Sequence, residues 1–522
     1  MVCEKECKYL YLIIIAATLS TIFWTAYGVY NYAAFVYTYN DIGREIQSFY
    51  LLLYHPSIVN GLQYLVISNH IAPDEVVFVA PIMYLYFSPY TLFFIESFVL
   101  SFTAVLLFVI TKRLTGSNPF AFVLSLAYLL NPGMQGMLIF EFHEEFLIIP
   151  LLLLVFYYYM KINKRFFYLS LVLLLAVMDS AVFPAIALGI GLLYFEIMHN
   201  KNLKIRRERL TLAAVILVAS LAALLIYSSY AGVLGGAYTD SYVGITTNLK
   251  VLPFDGAPIV NLLIGHSASN ISEYSHELDT IVFYASPFDV ATMVLIILAI
   301  AFGVFAFGMT ALADPILLTV LIFPWLVQEV ALRHIIFGSL FLEYYAYVIG
   351  NSIIAAILGY TLIVKTGSKS KRSIINKLRP LAQSAIVPSV LLSIWVIFLL
   401  GILIRVPIIP SASNPCINQL NWVIARVPDN ASLMAMNFIA AHTANHTYIE
   451  EIPRSTADTI YFKPDYVLVD FNKCFQELYT NGAHTQLFYN YTNYFDRYVV
   501  NGGYHIAVLN GTAELWALNS SR

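Results

Sequence analysis

The chain has 522 residues, 60% of them hydrophobic and 11% charged, and its mean hydropathy is +0.75. No single soluble core uses so large an apolar share, so the composition excludes a soluble globular protein and implies a polytopic membrane protein. A net charge of -3 offers nothing for nucleic acid to bind.

In chain order, a charged start from Met1 to Lys8 precedes an apolar run at 9–30, about long enough to cross a bilayer. No small-residue cleavage site closes that run, so it is expected to be retained as a first helix. Lys and Arg cluster at Lys5–Lys8, Lys112–Arg113, Lys161–Arg165, Lys201–Arg209 and Lys365–Arg379. Assigning those clusters to the cytoplasm predicts eleven spans, at 9–30, 91–111, 119–140, 146–160, 166–181, 183–198, 210–230, 287–309, 315–333, 344–364 and 383–405. The expected product is a multi-pass cell-membrane protein with a cytoplasmic N-terminus and an extracytoplasmic C-terminal domain. Six Asn-x-Ser/Thr sequons, at Asn270, Asn430, Asn445, Asn490, Asn510 and Asn519, all fall in segments this topology places outside.

The first outer loop, 31–90, is too long for a simple connector. Its apolar run at 76–87, interrupted by Pro81, is too short to span and predicts an interfacial or re-entrant helix. Asn131-Pro132-Gly133 near the end of the third helix predicts a break there. A second outer loop, 231–286, is rich in Gly, Ser, Tyr and Asn without a strong motif. From about 407 the composition becomes that of a soluble domain, which divides the chain into a membrane unit, 1–406, and a small α/β domain, 407–522. Within the latter, 432–436 and 465–470 read as strands and 437–442 as a short helix. Tyr498-Val499-Val500, Asn501-Gly502-Gly503 and 504–509 read as a hairpin and its turn. The fold class expected is therefore an α-helical polytopic membrane protein with a small C-terminal extracytoplasmic α/β domain. Cys416 and Cys474 lie in that domain and are candidates for a disulfide, whereas Cys3 and Cys7 read as free thiols.

The ionisable residues form a pattern on this topology. Phe140-Glu141-Phe142-His143-Glu144-Glu145 places three carboxylates and an imidazole in six residues at a membrane boundary, which is costly to keep. Asp41 follows the first helix, His70, Asp74 and Glu75 precede the interfacial run, Asp179 ends the fifth helix, and Glu329, Arg333 and His334 end the ninth. All are expected at the outer face, where Asp41, His70, Asp179 and the 141–145 cluster would form one polar site. Each has a plainer reading. Asp41 is either a helix cap or a general base. Glu144 and Glu145 suit a helix start, where acids complement the dipole, while Glu141 and His143 sit among aromatics. His70 is either a backbone-bonded imidazole or a site residue. Arg333 either clamps a phosphate or snorkels to headgroups. Asp179 interrupts an apolar segment, and an intramembrane carboxylate is a functional hypothesis by default. There is no P-loop, no His-Glu-x-x-His and no serine-nucleophile elbow, so nothing points to ATP-driven transport.

The ordered series Asp41-Ile42-Gly43…Gln47, Asn69-His70-Ile71-Ala72-Pro73, Pro81-Ile82-Met83-Tyr84, Asn131-Pro132…Gln135 and Phe140-Glu141-Phe142-His143-Glu144 resembles a family of archaeal and bacterial polytopic membrane proteins defined as a domain of unknown function. Val427-Pro428-Asp429-Asn430-Ala431-Ser432 and 464–470 are similar to its C-terminal portion, so the resemblance covers nearly the whole chain. One departure is Met178-Asp179-Ser180, where the family usually carries a Lys-Glu-Asp-like triplet; the acid is kept and the cation is lost. That family in turn resembles the GT-C glycosyltransferases. The resemblance implies an inverting sugar transfer at the outer face from a polyprenyl-phosphate-linked donor, beside membrane lipid. Asp41 would be the base, with Glu141 and His143 in the catalytic set. His70, Asp74, Asp179, Arg333 and His334 would bind substrate. The superfamily has members with and without a divalent cation, for which Asp41, Glu141 and His143 are the candidate ligands here. Two rivals stand beside this reading: an ion- or proton-coupled transporter, and a non-catalytic envelope protein that displays its C-terminal domain.

Overall fold

The computed structural model describes residues 2–38, 42–55, 77–139, 141–178, 181–234, 309–332, 346–367, 415–452, 463–470 and 495–519. Helices dominate up to 367, and a small sheet follows. In chain order the helices are α1 (Val2–Ala33), α2 (Arg44–Tyr54), α3 (Ala80–Leu85), α4 (Pro89–Thr115), α5 (Asn118–Leu129), α6 (Pro132–Ile139), α7 (Ile148–Lys161), α8 (Lys164–Val177), α9 (Val182–His199), α10 (Leu203–Leu234), α11 (Pro315–Leu332) and α12 (Ala346–Gly367).

Their ends follow local chemistry. Ser88 and Ser117 accept the backbone N–H of Tyr90 and Phe120, capping α4 and α5, each of which carries proline in its first turn. The last turn of α4 carries Lys112 and Arg113, and the helix stops at Gly116, whose φ of 72° an L side chain rarely adopts. Proline breaks the third expected helix as anticipated. α5 ends at Leu129, and the Asn131 Oδ1 accepts from Gly133 N at 2.8 Å and Met134 N at 3.3 Å to start α6.

Among the described residues six helices are long and apolar enough to cross a membrane: Lys8–Ala33, Pro89–Thr115, Asn118–Ile139, Val182–His199, Leu203–Ile226 and Ala346–Val364. The expected count of eleven is not reached among the described residues. α7 and α8 have 14 residues each and are shorter than a full span, while 383–405 and all but the last residue of the expected span 287–309 lie outside the described residues. Burial separates centre from periphery: 83% of the apolar window of α12 is enclosed, against 22% in α1 and in α10. α1 packs on α4, α9 on α10 and α11, and α12 on α7, leaving the peripheral faces of α1 and α10 for lipid.

Basic residues gather at one end of the bundle. Arg113 donates to the Tyr157 hydroxyl at 2.9 Å, and the Lys161 ammonium stands over the same ring. Arg209 on α10 donates to Glu196 of α9 at 3.1 Å and to the Met160 carbonyl of α7 at 2.7 Å, joining three helices through one guanidinium. His199 meets Asp314 at 2.7 Å, and Asp314 also caps α11 through Leu317 N.

At the opposite end lies the sheet. Its strands are β1 (Ser432–Ala435), β2 (Tyr448–Glu451), β3 (Tyr466–Asp470), β4 (Tyr504–Asn510) and β5 (Ala513–Leu518), in the order β2-β1-β3-β5-β4. β1 pairs in parallel with β2 and β3, and β5 runs antiparallel to β3 and β4. Helices α13 (Pro415–Ile424) and α14 (Asn437–Ala440) complete the unit. The expected strands at 432–436 and 465–470 and the short helix after β1 are present. The expected hairpin is displaced. Residues 495–500 form a π-helical turn that buries Phe495 and Val499, spaced one helical turn apart, and the hairpin is β4–β5 with its bend at Gly511 and Thr512. Two Asn-Gly pairs compete for the turn, and the i, i+4 spacing of Phe495 and Val499 overrides the β preference of Val499-Val500.

Close helix packing generates a prediction. A Cβ added at Gly359 in α12 would meet the carbonyl oxygen of Thr310 at 1.9 Å, a backbone atom that has no rotamer by which to escape. Gly359→Ala should therefore cost about 1–3 kcal/mol, seen as a lower Tm in detergent; an unchanged Tm would contradict this packing.

Candidate functional site

Glu141 stands at the end of the bundle nearer the sheet, in the extended stretch 141–143 between α6 and the 3-10 turn Glu144–Leu147. Its side chain is buried, and both carboxylate oxygens accept backbone donors from the segment after α1. Thr38 N–H reaches Oε1 at 2.8 Å and Ile42 N–H reaches Oε2 at 3.1 Å. Gly43 N–H closes the same segment onto the Thr38 carbonyl at 3.2 Å. Asp41 lies outside the described residues, yet the residue after it and the residue three before it are held by one carboxylate about a hundred positions away in sequence. Charge-assisted bonds to backbone N–H groups are among the stronger hydrogen bonds a fold makes.

The rest of the cluster extends this contact in the other direction. His143 is partly buried, with Nδ1 3.1 Å from the Glu141 carbonyl. Glu144 and Glu145 stand in the first turn of the helical segment that runs into α7, as the plainer reading has it, with their side chains buried. Tyr347 on α12 donates to Glu145 Oε1 at 3.3 Å, and its hydroxyl lies 3.8 Å from Met178 Sδ. Met178 immediately precedes Asp179, which is itself outside the described residues. The 141–145 stretch thus holds the neighbours of Asp41 directly and reaches the neighbour of Asp179 through Tyr347. His70, Asp74, Arg333 and His334 lie outside the described residues, as do Asn270, Asn490 and Cys474.

Several contributors were not visible in the sequence. Phe35 has φ 59°, a conformation costing roughly 1–3 kcal/mol for a bulky side chain. Its buried ring is part of the core beneath the sheet, edge-on to Phe438 with centroids 6.5 Å apart. His442, in the 3-10 turn Ala441–Thr443, stacks on Phe35 at 3.7 Å and on Tyr32 at 4.1 Å. The Tyr32 hydroxyl donates to the Ala441 carbonyl at 3.0 Å, and Gln47 of α2 donates to the His446 carbonyl at 3.4 Å. In exchange, Ala441 and Ala444 pack into the core of the helical bundle. The only sequence signal for this seam is the aromatic density of 32–37.

Among the described residues no three His, Cys, Asp or Glu side chains gather as a metal ion would require. Glu141 also fits a cation poorly, because both of its oxygens face N–H donors. Cys416 is disulfide-bonded. Asn430, Asn445 and Asn519 are exposed, and Asn510 is half-buried at the end of β4.

Two predictions follow from this geometry. Removing the carboxylate in Glu141→Ala leaves two N–H groups unpaired in a buried place, at about 1–3 kcal/mol each. The Tm should fall by several degrees, and less in Glu141→Gln, which keeps one acceptor; equal stability of all three proteins would show the clamp to be unimportant. The second concerns pH. Burial pushes the His442 imidazole down to about 3, against a backbone hydrogen bond to Tyr32 that works the other way. A histidine depressed in the folded state contributes stability that is complete above its ordinary range and lost as pH falls toward the depressed value. Burial lowers His446 too, so it acts with His442. Glu450 acts against them, its carboxyl pushed up to about 7 by burial, which favours the folded state as pH falls. The readout is therefore the difference between proteins. Between about pH 6 and pH 4 the native Tm should fall relative to His442→Phe, by up to tenfold in the folding equilibrium per pH unit; parallel curves would contradict it.

No curated protein matches the chain. One family does, over more than nine-tenths of its length. The chain belongs to the family described as "Predicted membrane protein (DUF2079)", which matches residues 20–496.

Proposed function

We propose that the chain is a GT-C-like membrane glycosyltransferase that moves a sugar from a polyprenyl-phosphate-linked donor to an acceptor at the outer face. The observation that carries this reading is the Glu141 carboxylate between Thr38 N–H and Ile42 N–H. A general base must be held within hydrogen-bond reach of the proton it removes, and rigid backbone on both sides of Asp41 supplies such a hold. In this scheme Asp41 takes the proton of an acceptor hydroxyl as that oxygen attacks the anomeric carbon. The bond from that carbon to the phosphate oxygen breaks, and polyprenyl phosphate leaves with inversion. Arg333 binds the departing phosphate as a charge-matched partner, while His70, Asp74, Asp179 and His334 line the substrate path. Glu141 is assigned a positioning role, since its oxygens are committed to backbone, and His143 stands beside it.

The sidedness belongs to the same proposal. Arg113, Lys161 and Arg209 share one end of the bundle and the sheet lies at the other, so the basic end is assigned to the cytoplasm and residues 407–522 to the exterior. Cys416 and Cys474 are assigned as a disulfide pair on that outer side, and Asn270, Asn430, Asn445, Asn490, Asn510 and Asn519 as its glycan acceptors. The α3 region supports the same orientation. Tyr84, Leu85 and Tyr86 are exposed there, in continuity with the exposed stripe Tyr90, Phe94 and Phe98 of α4, as expected of an interfacial helix against lipid.

Protein reconstituted in lipid nanodiscs and offered polyprenyl-phosphate sugars should transfer the sugar, and Asp41→Asn should lower kcat by about 10²–10⁴-fold at unchanged Tm. Transfer that survives Asp41→Asn would overturn the assignment of the base. Absence of transfer from every such donor, with uptake of an ion into vesicles instead, would overturn the enzyme reading.

A further inference from the structure

We infer that the C-terminal sheet unit sets the position of the Thr38 and Ile42 amides on Glu141, with His442 as a positioning residue acting through Phe35. The catalytic meaning of that coupling, for Asp41 between the two, rests on the proposed function, whereas the mechanical coupling does not.

The segment between α1 and α2 is pinned twice. Glu141 holds it at Thr38 and Ile42 from the side of the helical bundle. Three residues earlier, Phe35 leaves the bundle and enters the other core, edge-on to Phe438 and in one cluster with Ile439 and Leu433 of the sheet unit. A bulky residue with φ 59° persists only where its surroundings determine it. Here those surroundings are mostly residues 400 positions further along the chain. His442 fills the notch between Phe35 and Tyr32, with ring planes tilted by 25° and 28° from theirs. Among the described residues its buried Nε2 makes no hydrogen bond, and beside its hydrogen bond to the Tyr32 backbone the ring works through its two faces, which phenylalanine keeps. Ala441 and Ala444 sit in the bundle core in return, so neither side of this seam moves without opening the other. A shift of Phe35 is passed along three residues to Thr38, whose amide reaches the Glu141 carboxylate only in the present register.

Hydrogen exchange of the full chain in nanodiscs tests the coupling without any assay of activity. His442→Ala and Phe35→Ala should raise exchange at the Thr38 and Ile42 amides tenfold or more, with α4 and β3 still protected. His442→Phe should retain the native protection. Should the alanine variants fail to fold, Tyr32→Phe deletes only the hydroxyl bond to Ala441 and should raise exchange at the same amides about two- to tenfold. Unchanged exchange at Thr38 in the folded variants, or a rise in His442→Phe equal to that in His442→Ala, would overturn the inference. In transfer assays the alanine variants should lower kcat and leave the donor KM unchanged, a division that simple loss of folded protein does not produce. If no sugar is transferred by any form, the exchange results still stand or fall by themselves.

Discussion

One carboxylate organises the end of the molecule where the sheet sits. Glu141 is buried, and a charge there must be met by donors. Two of those donors are backbone N–H groups from the segment after the first helix. Backbone donors cannot rotate away, so the pairing fixes the path of the chain as well as the charge. The break at Asn131-Pro132, the short helix Pro132–Ile139 and the extended stretch 141–143 together deliver Glu141 to that position. Every other contact described at this end either extends the clamp, as Tyr347 does toward Met178, or braces the segment it holds, as Phe35 and His442 do.

The two ends of the bundle use charge differently. At the basic end, Arg209 neutralises Glu196 and caps the Met160 carbonyl, an ion pair that joins helices and leaves nothing over for chemistry. Breaking such a pair strands a buried carboxylate, so its plain role is to keep three helices in register. At the other end three carboxylates crowd residues 141–145, where backbone N–H groups donate to Glu141 and the Tyr347 hydroxyl donates to Glu145. Three carboxylates within 141–145 suit a base better than they suit a binding site for anions. Under the proposed function the anion, a polyprenyl phosphate, is accordingly left to Arg333.

Much of this was legible in the sequence because it depends on local chemistry. Proline at 132 and the Lys112–Arg113 pair mark helix boundaries through effects that act within a turn. The prominence of Phe140–Glu145 was legible too, since carboxylates at a membrane boundary are expensive wherever the chain goes. What Glu141 does was not legible, because its donors are backbone groups that any residue could supply. The seam around Phe35 and His442 was hidden for a related reason. A histidine in a soluble-looking stretch and a phenylalanine in an aromatic-rich one are unremarkable until tertiary packing stacks them. The displaced hairpin shows the opposite failure, in which a sound local signal at Asn501-Gly502 lost to the helical spacing of two buried side chains.

The central claim is spatial: residues far apart in sequence are brought to one place, around the segment that Glu141 holds. An experimental density map of the protein in lipid nanodiscs tests it most directly, through the positions of the Asp41, His143 and Asp179 side chains. The account requires all three to face one cavity beside the Thr38–Ile42 backbone, within a side chain's reach of a shared ligand. A map in which Asp41 points away from Glu141, or in which Asp179 faces lipid on another side of the bundle, would contradict it.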